Sequence, residues 1–153
     1  MNRIAVVLCC GLLLFAAKTG QAQTYDSTYA ARLGADDYGM KSYVIAFLKT
    51  GPNRSSDPEV RKKLQQGHMN NIIRLAESGE LLMAGPFIDT GSLRGIYIFD
   101  VRTIEEARKL TETDPAIQAG SLIMELKKWY GPAALMEIAE LNKKATRKSI
   151  GGN

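Results

Sequence analysis

The fold is decided by residues 79–101, GELLMAGPFIDTGSLRGIYIFDV. This stretch contains two apolar runs that are separated by the short polar loop at 89–92. In the second run, Ile96 and Ile98 alternate with Tyr97 and Phe99, which is typical of a strand. A short loop between two such runs predicts an antiparallel hairpin. We therefore expect strands at 81–87 and 95–101.

A strand and a helix are predicted upstream of this hairpin. Residues 43–48, YVIAFL, are apolar at every position, which indicates a strand that is buried on both faces. The turn residues at 51–53, GPN, end it. Residues 56–59, SDPE, then supply a capping side chain, an early proline and an early acid, so a helix begins there. We expect that helix to end at Gly79.

The elements predicted after the hairpin complete a familiar order. Residues 103–106, TIEE, have the spacing of a capping box and begin a second helix. We expect a fourth strand at 122–130 and an amphipathic helix at 132–141. The resulting order is βαββαβ with an extra C-terminal helix, which is an α+β fold of the ferredoxin-like type. One face of its sheet would be bare and apolar, so we expect a homodimer that closes two sheets on each other.

The whole chain is predicted to divide into four segments. The first has a positive charge near its start, at Arg3, followed by an apolar run too short to span a membrane. It ends in the small residues of GQA, which is typical of a cleavable signal peptide. We therefore expect a periplasmic or secreted protein. The four segments are a signal peptide (1–22), a polar, aperiodic tether (23–40), the main domain (41–132), and a C-terminal helix with a basic tail (133–153).

Removal of the signal peptide would restrict the available chemistry. Cys9 and Cys10 lie within it, so the remaining chain would have no thiol nucleophile, disulfide or cysteine ligand. A single histidine remains, and no phosphate-binding loop is present, so we expect no metal and no cofactor. The net charge would fall from +4 to +2. No aromatic residue is interleaved with the basic tail at 143–148, so we expect no nucleic-acid partner, and we expect no stable membrane insertion.

His68 is the candidate catalytic residue. It is the only histidine in the chain, and it lies within an apolar stripe of the predicted helix formed by Val60, Leu64, Ile72 and Leu75. A side chain that titrates near neutral pH thus occupies a position where a core needs an apolar group. The pattern alone fits either a hydrogen-bonded core histidine or a general acid–base. The adjacent Gly67 weakens the helix by up to ~1 kcal/mol relative to alanine, which is tolerable if another segment approaches the backbone closely.

The segment 41–132 resembles the YCII-related (YciI-like) proteins of the dimeric α+β barrel superfamily. The resemblance rests on the helix that carries His68, on the strand GELLMAGPF at 79–87, on RGI at 94–96, and on EEA at 105–107 followed by Asp114-Pro115. It implies a small homodimeric protein whose proposed active site is a histidine–aspartate pair, here His68 and Asp114.

The resemblance also implies a type of activity. One relative is a dehydrochlorinase that acts on a chlorinated hydroxyquinol, and muconolactone isomerase is a more distant one. We therefore expect cofactor-free acid–base chemistry, an elimination or an isomerisation, on a small cyclic or aromatic molecule. The alternative is a non-catalytic module that binds a small ligand or acts as a dimeric scaffold, because Asp-Pro is also an ordinary turn or helix start. Many relatives place an arginine where this chain has Gln65, and Arg61 replaces it only if its side chain turns inward.

A third hypothesis concerns the loop residues 87–92, FIDTGS, which resemble the aspartic-protease signature. Such an enzyme needs two facing aspartates that share one proton, and a dimer would supply two copies of Asp89. However, the signature belongs to an all-β scaffold, and these are ordinary turn residues. Ser92 is not framed by a nucleophile elbow either. This hypothesis ranks last.

Overall fold

The computed structural model describes residues 24–148, so the predicted signal peptide at 1–22 lies outside the described residues. Among the described residues, no helix is long and apolar enough to cross a membrane. In chain order the elements are α1 Ser27–Leu33, β1 Met40–Thr50, α2 Pro58–Glu77, β2 Leu81–Pro86, β3 Leu93–Phe99, α3 Ile104–Thr111, α4 Pro115–Gln118, β4 Leu122–Pro132, a 3-10 helix Ala133–Glu137 and α5 Ile138–Ala145.

The four strands form one antiparallel sheet in the order β2-β3-β1-β4. The expected α+β fold with a ferredoxin-like arrangement is confirmed. β1 is a central strand because it pairs with β3 on one side and with β4 on the other. Its uninterrupted apolar sequence suits this position, since both of its faces are covered at least in part.

The core lies between the sheet and the helices. Alternate residues of β1 point into it, and they pack with side chains from β3, α2 and α3. The cluster of buried residues consists of Val44, Ala46, Leu48, Leu75, Leu81, Tyr97, Phe99 and Ala107. On the opposite face, Ile45 and Phe47 are only partly buried. The sheet therefore has one sealed face and one face with remaining apolar surface.

The segment 23–40 was predicted to be a polar tether, and this is wrong for residues 27–33, which form α1. The side chain of Asp26 accepts a hydrogen bond from the backbone N–H of Tyr29 at 2.9 Å and caps the helix. Gly34 ends α1 as its left-handed cap with φ 68°. Leu33 anchors the helix because it is only 4% exposed. One apolar residue was too weak a periodic signal to reveal a helix of seven residues.

The expected apolar stripe of α2 is correct in part. Leu75 is buried and Leu64 and Ile72 are partly buried, but Val60 is 42% exposed because it lies in the first turn of the helix. Asn71 is buried on this helix instead. A polar side chain on the buried face gives no signal in a hydrophobic pattern.

The C-terminal region also differs from the expectation. β4 continues to Pro132, where a helix was predicted to begin, because Pro132 is still paired with Met40 and its carbonyl accepts a hydrogen bond from the Tyr43 hydroxyl at 3.0 Å. The predicted single helix is a 3-10 helix followed by α5, which ends at Ala145 rather than near Leu141. α5 packs against β2.

The approach of the β1 end to the end of α4 predicts a sensitive glycine. A Cβ atom at Gly51 would lie 2.2 Å from the carbonyl oxygen of Gly120, so backbone has to move. We expect Gly51→Ala to lower the free energy of unfolding by about 1–3 kcal/mol, as overpacking does. Gly85→Ala is the matched control, since its Cβ would meet nothing within 4 Å. Equal urea midpoints for the two variants would contradict this prediction.

Candidate active site at His68 and Asp114

A close contact between two helices forms the site. His68 lies in the middle of α2, and Asp114 is the N-cap of the short helix α4. The helices approach at Gly67, where a Cβ atom would lie 3.0 Å from Cγ of Pro115. Pro115 is thus the segment whose approach makes a glycine useful inside α2. The absence of a side chain at Gly67 lets the N-terminus of α4 reach the neighbouring histidine.

The two oxygens of the Asp114 carboxylate have different partners. Oδ2 lies 2.6 Å from Nδ1 of His68, and Oδ1 accepts a hydrogen bond from the backbone N–H of Ala116 at 2.8 Å. The side chain has no exposed surface. Because an ionised carboxylate only accepts hydrogen bonds, Nδ1 of His68 carries the proton in this contact. Asp114 therefore begins α4 and orients the imidazole at the same time.

Tyr97 completes a buried chain of three polar side chains. Its hydroxyl lies 3.3 Å from Nε2 of His68, and the two rings stack with their centroids 6.3 Å apart. Burial, and then the negative charge of Asp114, raise the pKa of the Tyr97 hydroxyl, so it stays protonated. With the Nδ1 proton directed at Asp114, Nε2 is the acceptor and the Tyr97 hydroxyl donates to it. The order is Tyr97, His68, Asp114.

The hydrogen bonds from Tyr97 to His68 and from His68 to Asp114 run in the direction that acid–base chemistry needs. A carboxylate on Nδ1 fixes the tautomer and stabilises an imidazolium, which leaves Nε2 as the nitrogen available for proton transfer. The contact between Nε2 and the tyrosine oxygen is long for a hydrogen bond. The displacement of the tyrosine hydroxyl from Nε2 by a reacting atom would therefore cost little free energy. His68 is 8% exposed, so only a small part of its surface is open to solvent.

Two residues of this cluster were missed in the sequence. Tyr97 was not singled out, because nothing in a strand pattern shows which side chain across the core it meets. Asn71 lies one turn after His68, and its Oδ1 accepts hydrogen bonds from Arg74 and from Thr113, the residue before Asp114. Its buried Nδ2 finds no hydrogen-bond partner among residues 24–148. The three-residue spacing from His68 was the available signal.

The loop between β2 and β3 has a simpler structure than the protease hypothesis requires. Asp89 is exposed, and its Oδ1 accepts a hydrogen bond from the N–H of Gly91 at 3.2 Å, which is a local turn contact. Ser92 is exposed, and its carbonyl accepts from the N–H of Thr50. In the described part of the chain, no three His, Cys, Asp or Glu side chains are grouped as metal ligands.

A cleft of about 160 Å³ lies next to the histidine–aspartate pair. α2 contributes Arg61, Leu64 and Gln65 to its lining, and Ala116 contributes from the first turn of α4. The His68 ring does not line it. Arg61 is exposed, and it lines the cleft from the same helix as Gln65.

The chain is similar to several known proteins. A family model described as the YCII-related domain matches residues 43–130, which include both His68 and Asp114. The uncharacterized protein YjpA of Bacillus subtilis is 33% identical over 63 residues, which cover 41% of this chain and 72% of that protein. A solved structure of a 5-chloro-2-hydroxyhydroquinone dehydrochlorinase from Burkholderia phenoliruptrix, bound to 2,5-dihydroxybenzoquinone, has a TM-score of 0.43 and 17% identity and covers 56% of this chain and 92% of its own.

The double role of Asp114 predicts a larger stability loss than an ordinary cap gives. Asp114→Ala removes a cap, worth ~1 kcal/mol, and leaves a buried imidazole N–H unpaired, worth ~1–3 kcal/mol. We expect the free energy of unfolding to fall by about 2–4 kcal/mol. Asp57→Ala is the matched control, because Asp57 also precedes a proline and caps a helix but is exposed. It should lose only ~1 kcal/mol. Equal losses in urea titrations would show that the histidine contact contributes nothing.

Proposed function

The chain belongs to the family of proteins with a YCII-related domain, and from this premise we propose that it is a cofactor-free acid–base enzyme. Its reaction is an elimination or an isomerisation of a small cyclic or aromatic molecule. The observation that carries this proposal is the 2.6 Å contact between His68 Nδ1 and the buried carboxylate of Asp114. A carboxylate-oriented imidazole is a common arrangement for moving protons at neutral pH.

The proposed steps need only the residues of this site. Nε2 of His68 takes a proton from a carbon of the substrate, and the resulting imidazolium is stabilised by the Asp114 carboxylate. In an isomerisation the proton returns to a different carbon, whereas in an elimination an anionic leaving group departs as the double bond forms. Such a positioned acid–base contributes roughly 10²–10⁴-fold to the rate.

A second function is favoured by one specific observation. His68 is almost fully buried, and both of its ring nitrogens already have partners within the protein, Asp114 and Tyr97. A satisfied core histidine has these same properties. The alternative is therefore a module that binds a small ligand or forms a dimeric scaffold without chemistry. The two functions differ in whether Nε2 exchanges protons with a ligand.

We also propose that the protein is exported and that it is a homodimer. The signal-like sequence of residues 1–22 supports export to the periplasm or the medium. Remaining apolar surface on the open sheet face supports the dimer, since Ile45 and Phe47 are only partly buried and Ile123 is 46% exposed. Apolar surface on a sheet is commonly covered by a second copy.

Proton exchange distinguishes the enzyme from the module. We expect the protein in D₂O to catalyse deuterium incorporation into members of a panel of hydroxylated aromatics and unsaturated lactones, followed by NMR. His68→Gln should abolish the exchange, because no general base remains. Asp114→Asn should slow it roughly 10²–10⁴-fold. Asp89→Asn is the control and should exchange at the normal rate, since its carboxylate serves only a local turn. Binding of a compound without any exchange, or full exchange by His68→Gln, would refute the enzyme proposal.

The dimer has its own test. Ile123 is paired with Lys49 and lies on the sheet face opposite the core. We expect Ile123→Glu to shift the sedimentation coefficient from that of a dimer to that of a monomer, because a charge would be buried between the sheets. Ile88→Glu should remain dimeric, as Ile88 is an exposed residue of the loop between β2 and β3. Unchanged sedimentation of Ile123→Glu would contradict association through this face.

A further inference from the structure

The cleft beside the histidine–aspartate pair is strongly basic. Three arginines contribute to its lining, and they come from three different segments: Arg54 from the loop after β1, Arg61 from α2 and Arg94 from β3. No acidic residue of the described range lines it. The other lining residues are Thr50, Ser55, Leu64, Gln65, Ala116, Ser121 and Leu122. Positive charge from three segments of the chain is therefore collected around one small volume.

These arginines are not neutralised by the protein. Among residues 24–148, the ion pairs are formed by other cationic side chains, and no carboxylate lies within 4 Å of the guanidinium groups of Arg54, Arg61 or Arg94. Instead, Nη1 of Arg61 donates to the carbonyl oxygens of Ser55 and Ser56, at 3.1 Å and 2.6 Å. These bonds hold one edge of the guanidinium group and fix Arg61 against the loop that carries Arg54.

The chemistry of the lining specifies a class of ligand. Guanidinium groups bind carboxylates and phosphates through paired hydrogen bonds, and the nearby hydroxyls of Thr50, Ser55 and Ser121 are further donors. Leu64 and Leu122 add apolar surface to the same cleft. A matching molecule has one anionic oxygen group and a small apolar body.

We propose that this cleft binds the carboxylate or phosphate group of a small organic anion, with Arg54, Arg61 and Arg94 supplying the positive charge. The further statement that this anion is the substrate rests on the proposed function. It is supported by position, because Gln65 lies one turn before His68 and Ala116 donates its N–H to Asp114. In this chain the positive charge near the histidine thus comes from Arg61 and from two other segments, while Gln65 is neutral.

Isothermal titration of the full-length chain with benzoate, phenyl phosphate and neutral benzamide tests the site. We expect saturable binding of at least one of the two anions and no binding of benzamide. The tighter of the two anions identifies the preferred group. Affinity should fall as NaCl is raised, since exposed charges are screened. Benzamide binding equal to that of both anions, or no saturable binding of either anion, would overturn the proposal.

Variants assign the binding to these residues. Each of Arg54→Gln, Arg61→Gln and Arg94→Gln should weaken anion binding by about three- to fivefold, because each arginine is solvent exposed. The triple variant should not bind. Arg108→Gln is the matched control, since Arg108 is an exposed arginine of α3 that does not line the cleft. Unchanged affinity in the triple variant, measured with circular dichroism to confirm folding, would refute the assignment.

One more variant separates this inference from the proposed enzyme function. His68→Gln leaves the three arginines in place, so it should bind the anion with near-normal affinity while it loses deuterium exchange. Anion binding without exchange in the wild type would refute the enzyme and retain the anion site. Exchange on a neutral compound, with no anion binding, would refute the anion site and retain the enzyme.

Discussion

The buried carboxylate of Asp114 is the constraint on which the site depends. A carboxylate without solvent is stable only if both of its oxygens are hydrogen-bonded. Here the N-terminus of α4 satisfies one oxygen and the imidazole of His68 satisfies the other. The contact therefore fixes the position of α4 on α2 as well as the orientation of the ring. Gly67 is part of the same constraint, because a side chain there would meet Pro115.

The core around this contact is polar in a fold whose other buried residues are mostly apolar. Tyr97 comes from the sheet, His68 from α2 and Asp114 from the start of α4, so three elements meet in one hydrogen-bonded chain. Such a network is costly when any member is lost, because the remaining groups stay buried without partners. Asn71 extends the polar surroundings towards Thr113. An apolar cluster of similar volume would stabilise the fold without buried polar groups that need partners. The polar side chains at this position therefore favour a functional role.

The acid–base group and the basic cleft are adjacent but distinct. The imidazole of His68 is buried and contacts a single carboxylate. The cleft is open to water, and its three arginines have no carboxylate partners in the described range. This separation is physically reasonable. Arginines placed directly against the imidazole would disfavour its protonated form, while arginines in the neighbouring cleft attract an anion and leave the histidine–aspartate contact intact.

The sequence by itself determined the order of the strands and main helices along the chain, because the alternation of strand residues, the spacing of helix residues and the helix caps are local properties. It also indicated His68 and Asp114, through a misplaced histidine and a family resemblance. It did not reveal α1, whose only buried anchor is Leu33, or the exposure of Val60. Only the tertiary structure brought Tyr97 to His68 and gathered Arg54, Arg61 and Arg94 around one cleft. Contacts between residues that are far apart in the chain depend on how elements pack, and no local pattern records that packing.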